Sequence, residues 1–403
     1  MSGRQHPVRT LTRCPARRGL VLLAVAGMLA PGPAEGQGTA TDFRDLDQAL
    51  QIFMREDSIV GGAVALVAAG RVTAHAEHGF ADRAVGTPLG PDALFHWGSI
   101  TKTLTAVAIL QLRDRGLLAL DDPITRWVPE LRQVHNPYGS MDGITLRMLL
   151  SHSSGFQNPT WPYRRYVSWE PFEPTRWEQL VSMMPYQEIL FPPGSRFGYS
   201  NPAFIYLARV IEAITGDPYQ SYIYKNIWLP LGMTRSYFGT TPYRLAPFRP
   251  HNYNLTRDSA GAVRMVDNGQ DFDPGITIPN GGWNAPLEDL ATWMAFLSGV
   301  RANDTILRRE SLAEMWHPIV VMEDSGGTRQ SMGLGFFVVE RHGVTLIGHT
   351  GEQAGFRSFF FFRPDRQTGV VAAVTTVNDV WPDQSAAAFR RFLAAALRVL
   401  AGG

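Results

Sequence analysis

Only two lysines occur in the chain against 35 arginines, and one of them, Lys102, lies three residues after Ser99. Burial or nearby cations push an ammonium group to its neutral form, whereas a guanidinium stays charged. Ser99-Ile100-Thr101-Lys102 thus has the make-up of a serine whose proton a neighbouring amine takes. At the start of a helix, residues three apart share a face. The free N–H groups and the positive dipole end found there suit a developing oxyanion. The same four residues also fit an ordinary N-cap serine followed by an exposed lysine.

Two further segments carry chemical groups. Tyr199-Ser200-Asn201 precedes Pro202, a suitable first residue for a helix. A tyrosine beside a cationic amine has its phenol pKa lowered and serves as a proton relay. Asn201 is placed to donate its amide to a substrate carbonyl. A capping loop with a packed tyrosine is the plainer alternative. His349-Thr350-Gly351 is expected to end a strand over Val344–Gly348, with Glu352 next. A small residue at 351 lets a substrate lie along a strand edge, and the Glu352 N–H would pair with that of Ser99 as a second oxyanion donor. Here the alternative is a glycine-rich turn.

These residues need elements to hold them. Helical spacing runs over Phe43–Arg55, a hairpin over Val60–Ala68 and Arg71–Gly79 turning at Ala69-Gly70, and a helix from near Ser99 to Arg115. The last of these is apolar almost all round, which predicts a central buried helix. From about Asp121 to Arg249 the chain is dense in Pro, Trp and Tyr and lacks long strand patterns. Helices are expected over Pro202–Thr215, stopping at Gly216, and over Pro286–Gly299. Strands follow over Gly333–Glu340, Thr345–Gly348, Gly355–Phe362 and Gly369–Thr376, with a turn at 366–369 and a closing helix over Ser385–Leu400. Terminal strands that pair across a long insertion give an α+β fold: one antiparallel sheet flanked by helices, with a mainly helical subdomain at about 121–285.

The order Ser-x-x-Lys, Tyr-x-Asn, His-Thr-Gly resembles the class C β-lactamase and penicillin-binding-protein superfamily of serine hydrolases. Leu149-Leu150-Ser151-His152-Ser153-Ser154-Gly155-Phe156 and Pro193-Gly194-Ser195-Arg196-Phe197-Gly198-Tyr199-Ser200-Asn201 are similar to two further segments of that family. The resemblance spans about 42–397. It implies Ser99 as the acylated nucleophile, Lys102 and Tyr199 as proton carriers, and Asn201, His349, Thr350, Gly351 and Glu352 as substrate-binding residues. His349 stands where class C β-lactamases carry lysine, and histidine there is familiar in the family's esterases and D-amino-acid peptidases. A histidine is only partly charged near pH 7, so β-lactam hydrolysis is put in doubt. The expected activity is cleavage of an ester or amide through an acyl-enzyme. The alternatives are a true β-lactamase or D,D-carboxypeptidase, and a relative that binds cell-wall peptides without turnover.

Composition narrows the partners. Arg4, Arg9, Arg13, Arg17 and Arg18 precede the apolar run Gly19–Ala30, and Ala34-Glu35-Gly36 offers a cleavage site. Residues 1–36 therefore read as an export signal, the hydrolase domain as 42–400, and the location as periplasmic or secreted. No stable membrane span is expected after signal removal. Losing the signal takes five Arg and one Glu from a formal charge of +1, leaving about −3. That balance suggests no nucleic-acid surface. Cys14, the one cysteine, leaves with the signal. The histidines show no metal spacing, and neither a phosphate loop nor a Gly-x-Ser-x-Gly elbow occurs. No cofactor or metal is expected, and the partner is a small-molecule or short-peptide substrate. Oligomeric state is left open. His152 reads as a packed loop residue, Gln157 and Asn158 as ordinary loop residues with a place facing the cleft as the lesser alternative, and Trp161, Trp169, Trp177 and Trp283 as packing residues with a pocket wall as the lesser alternative.

Overall fold

Residues 38–158, 174–301 and 303–402 are described by the computed structural model of the chain. Trp161, Trp169 and the expected signal at 1–36 lie outside them. Among the described residues no helix is long and apolar enough to cross a membrane.

A nine-stranded antiparallel sheet organises the molecule. Its strands in chain order are β1 (Gly61–Ala68), β2 (Arg71–Asp82), β3 (Thr87–Pro88), β4 (Val320–Ser325), β5 (Thr328–Met332), β6 (Phe337–Arg341), β7 (Val344–Gln353), β8 (Phe356–Arg363) and β9 (Thr368–Val374). They lie in the order β3-β2-β1-β9-β8-β7-β6-β5-β4. The β1–β2 turn is the expected Ala69-Gly70, with φ of 46° and 72° at its two residues. Two positive φ values in a row twist a two-residue turn to match the strands it joins.

Both faces of the sheet are covered, which explains runs such as Phe359-Phe360-Phe361-Phe362. Phe360 and Phe362 join the core under α2 (Thr101–Asp114) and α4 (Leu287–Leu297). Phe359 and Phe361 join the opposite core under α1 (Gly38–Glu56) and α5 (Pro382–Ala401). There Phe392 stacks on Phe53 at 5.6 Å and meets Phe359 edge-on at 5.1 Å. Period-two alternation thus places one set of rings on each side. Thr101 through Leu112 of α2 are all buried, as its all-round apolar sequence predicts.

Four expectations change. The C-terminal sheet has six strands rather than three or four, because the polar hairpin β4–β5 lies at the sheet's edge, where apolar alternation is weak. β7 runs on to Gln353, so His349-Thr350-Gly351-Glu352 lies within a strand rather than after one. The last hairpin turns earlier than 366–369, since β9 begins at Thr368. The region about 121–285 is mainly short helices and 3-10 turns, but it also holds the hairpin Tyr253–Arg257/Val263–Asp267, which pairs in parallel with Thr376–Asn378. α3 (Asn201–Thr215) lies in this region and ends at Gly216 with φ 72°, as expected.

Candidate active site

Ser99 occupies a 3-10 turn, Gly98–Ile100, that feeds α2. The turn is pinned from several sides. Trp97 N–H donates to Trp283 O at 2.8 Å, its indole N–H to Ala285 O at 2.9 Å, and Thr101 Oγ1 to Gly98 O at 2.7 Å. Against β7 the approach is so close that a Cβ on Gly351 would lie 2.0 Å from Trp97 O. A Cβ on Gly98, which has φ 52°, would lie 2.8 Å from Glu352 N. Gly351 is thus required by the packing of Ser99's turn, a different reason from the substrate clearance expected of it.

The β7–β8 hairpin turns through Ala354-Gly355, both at positive φ. Its closing pair, Gln353↔Phe356, exchanges hydrogen bonds in a two-residue hairpin. The next pair, Glu352↔Arg357, is then a non-bonded one, and the Glu352 N–H points away from β8. On that side β6 stops at Phe337↔Gly348, so the Glu352 N–H faces Ser99's turn without a strand partner. The Glu352 carboxylate meets Arg357 Nε at 2.6 Å. Arg357 is itself buried and tied to Ser385 Oγ at 2.9 Å and to Asp57 at 3.7 Å.

Lys102 is fully buried on the first turn of α2. Its Nζ lies 3.1 Å from Ser99 Oγ, 2.8 Å from Asn201 Oδ1 and 2.8 Å from the main-chain oxygen of Asn280. No carboxylate is among these partners. Burial drives the Lys102 pKa well below its ordinary value, because an unpaired charge in such a place costs several kcal/mol. A neutral amine has two N–H bonds and one lone pair. Asn201 Oδ1 and Asn280 O only accept, so they take the two N–H bonds, and the lone pair is left facing the Ser99 hydroxyl.

Tyr199, at the end of the loop before α3, is buried with Lys102 Nζ 4.9 Å from its ring centre. Burial pushes its phenol up, the Ser99 hydroxyl offsetting this in part, and its oxygen has no hydrogen bond of normal geometry. The expected lowering by a cationic amine is thereby reversed, because desolvation of the phenol wins. His349 stacks on Phe337 at 4.5 Å, and its Nδ1 lies 2.5 Å from Thr350 O. A carbonyl only accepts, so the proton is on Nδ1 and the buried, unpartnered Nε2 is a free lone pair. Burial lowers its pKa to about 3. His349 is therefore neutral at pH 7 rather than partly charged.

Asn201 does not hold its amide free for a substrate carbonyl. Its Nδ2 donates to Asn158 Oδ1 at 3.2 Å, while its Oδ1 also accepts from Asn280 Nδ2 at 3.2 Å. The structure thus brings Ser99, Lys102, Tyr199 and Asn201 together, with His349 to Glu352 along one side. Two residues escaped the sequence. Asn280, in Ile278-Pro279-Asn280-Gly281-Gly282, acts largely through a main-chain oxygen, which no side-chain motif reveals. Gln353 anchors the 277–281 loop through Thr277 Oγ1 at 3.0 Å and lies 3.1 Å from His96 Nε2. Trp283 is wholly buried core, and half-buried Trp177 packs against Tyr206.

Such a serine–lysine–tyrosine cluster between a helix and a sheet edge defines a class of acyl-transferring hydrolases. The chain belongs to the Beta-lactamase family of serine hydrolases, whose family model matches residues 46–395. It is 32% identical over 295 residues to esterase EstB of Burkholderia gladioli, covering 67% of this chain and 72% of the esterase. It is 31% identical over 196 residues to penicillin-binding protein 4* of Bacillus subtilis, covering 48% of this chain and 40% of that protein. Among solved structures, the octameric penicillin-binding protein homologue of Pyrococcus abyssi superimposes with TM-score 0.73 at 25% identity, over 90% of this chain and 78% of its own. A D-stereospecific amidohydrolase from Streptomyces sp. does so with TM-score 0.66 at 25% identity, over 85% and 97%.

Proposed function

We propose that the chain is an exported serine hydrolase that cleaves an ester or amide through an acyl-enzyme on Ser99. The observation that carries this is Lys102: wholly buried, without a counter-ion among the described residues, and turned by two carbonyl oxygens so that its lone pair meets the serine hydroxyl. Lys102 takes the serine proton as Oγ attacks the carbonyl carbon. The N–H groups of Ser99 and Glu352 hold the oxyanion, each worth roughly 3 kcal/mol of barrier. Tyr199, a neutral phenol beside Ser99 and Lys102, passes a proton to the leaving group. Protonated Lys102 returns a proton to Tyr199; water then gives a proton to Lys102 as its oxygen attacks the acyl carbonyl, the bond to Ser99 Oγ breaks, and Oγ takes that proton back as the acid leaves.

The substrate is a small molecule or short peptide. A neutral ester is favoured over a β-lactam because His349 puts no charge where a substrate carboxylate would need one, and EstB is an esterase by name. The 42–400 stretch acts as one hydrolase domain, with the mainly helical part at about 121–285 walling the cleft. The basic and apolar N-terminal segment supports export to the periplasm or medium.

Two experiments decide the matter. A fluorophosphonate probe should label the wild type on Ser99 and leave Ser99→Ala unlabelled; no labelling of the wild type, or labelling elsewhere, overturns the proposal. p-Nitrophenyl butyrate, D-phenylalanine p-nitroanilide and nitrocefin assayed side by side should rank the ester first. A dominant nitrocefin or anilide rate would assign β-lactamase or D-peptidase activity instead, and binding of D-alanyl peptides without turnover would assign the non-catalytic role.

A further inference from the structure

Tyr199 is held by one residue that the chemistry above does not use. His152 follows a short helix, Leu146–Leu150, and has φ 53°, a left-handed conformation uncommon outside glycine. That backbone turns both its carbonyl and its ring toward the loop carrying Tyr199. Gly198 N–H donates to His152 O at 2.7 Å, and Ser200 N–H donates to His152 Nδ1 at 3.1 Å. The amides on either side of Tyr199 are therefore gripped by a single residue, whose ring also lies 4.1 Å from the tyrosine ring at 32°.

The bond from Ser200 fixes the tautomer. Nδ1 accepts, so the imidazole's one proton is on Nε2, which is buried without a partner. An unpaired buried donor costs about 1–3 kcal/mol. An apolar ring would fill the space without that cost, so the acceptor at Nδ1 is what histidine adds here.

We propose that His152 is the positioning residue for Tyr199, setting the height and angle of its hydroxyl over Ser99 by gripping the amides of Gly198 and Ser200. This rests on the role given to Tyr199 above.

Asparagine places an oxygen where Nδ1 stands and tolerates left-handed backbone; glutamine places its polar atoms one bond too far. His152→Gln should lower kcat for p-nitrophenyl butyrate about 100-fold with KM within about threefold, whereas His152→Asn should stay within about tenfold of wild type. In a Tyr199→Phe background the His152→Gln effect should vanish, since a residue acting through the hydroxyl has nothing left to position. The same 100-fold loss in both backgrounds, or an asparagine variant as poor as glutamine, would overturn the proposal. If Tyr199→Phe alone keeps full kcat, the relay role fails and this inference with it; if Tyr199→Phe is impaired and the two effects are additive, only this inference fails. Should His152→Gln not fold, His152→Asn decides: it keeps the acceptor and loses the ring, so near-wild-type kcat supports the grip and a 100-fold loss refutes it.

Discussion

Replacing Lys102 by arginine keeps the charge type and removes the ability to be neutral. The site offers a buried amine three oxygen neighbours within 3.1 Å and, among the described residues, no carboxylate. A guanidinium cannot lose its proton and brings five N–H donors to that space. Loss of a general base costs about 10²–10⁴ in rate, or roughly 2.7–5.5 kcal/mol at 1.36 kcal/mol per tenfold. A permanent buried cation without a partner removes about 3–5 kcal/mol of stability besides. Lys102→Met separates the two effects, since it abolishes the base without burying a charge. Stopped-flow acylation by a p-nitrophenyl ester should fall at least 100-fold in both variants, while denaturant unfolding should show the larger loss for arginine. There is also a signature in pH. The folded Lys102 pKa is far below 10.5, so between the two values the unfolded chain holds a proton that the folded chain does not. Wild-type stability therefore rises with pH across that window, by up to about 1.4 kcal/mol per unit. Lys102→Met lacks this slope, and its stability relative to wild type should decline as pH rises through that window toward 10.5. Arginine acylating within tenfold of wild type, or a stability difference that ignores pH, would refute the neutral-base account.

Other substitutions probe the frame around the lysine. Gly351→Ala forces a Cβ to within 2.0 Å of Trp97 O and 2.6 Å of Ser358 Oγ; the serine turn must move off β7, and acylation should fall more than tenfold, an unchanged rate counting against the close-packed oxyanion geometry. Asn280→Ala keeps the main-chain acceptor for Lys102 and loses only the Nδ2 bond to Asn201, so acylation should drop tenfold or less; Asn201→Ala removes an acceptor on the amine itself and should cost about 10–100-fold. Three buried histidines make the fold acid-labile. The pKa of His96 is lowered to about 4 and that of His349 to about 3, chiefly by burial, and His152 is lowered as well. Below pH 6.5 the unfolded chain binds protons that these rings refuse, so stability is complete above 6.5 and falls as pH drops toward 4, by up to about 1.4 kcal/mol per unit for each ring. Denaturant midpoints measured from pH 7 to 4.5 should show this steep fall, and His349→Phe should lessen it by one ring's share.

The chemistry was more legible than its supports. Ser99, Lys102, Tyr199 and Asn201 stand out because side-chain type and spacing carry the signal. The α2 helix and the β1–β2 hairpin follow from apolar pattern and the Ala69-Gly70 turn. Asn280 was not legible because its contribution is a carbonyl brought 178 positions along the chain to Lys102. The ionisation states of Tyr199 and His349 also escaped, since both depend on desolvation, which sequence does not display. His152 looked like packing for a similar reason: its grip on 198 and 200 exists only once two distant loops meet. β4 was missed because an edge strand needs no apolar alternation, and β5 because its buried residues Thr328, Gln330 and Ser331 are polar.

The pairing of β1 with β9 joins residues 61–68 to 368–374. Ser99 and Lys102 belong to the early part of the chain, and the Glu352 amide to the late part. Loop closure on this scale slows folding, and it also imposes an order on synthesis. A ribosome that has made three quarters of the chain has already made Ser99 and Lys102, yet Glu352 does not exist to complete the proposed oxyanion site. Hydrolytic power should therefore appear only when the last strands lock against the first. In refolding experiments, activity should return together with closure of the β1–β9 seam and no sooner than it.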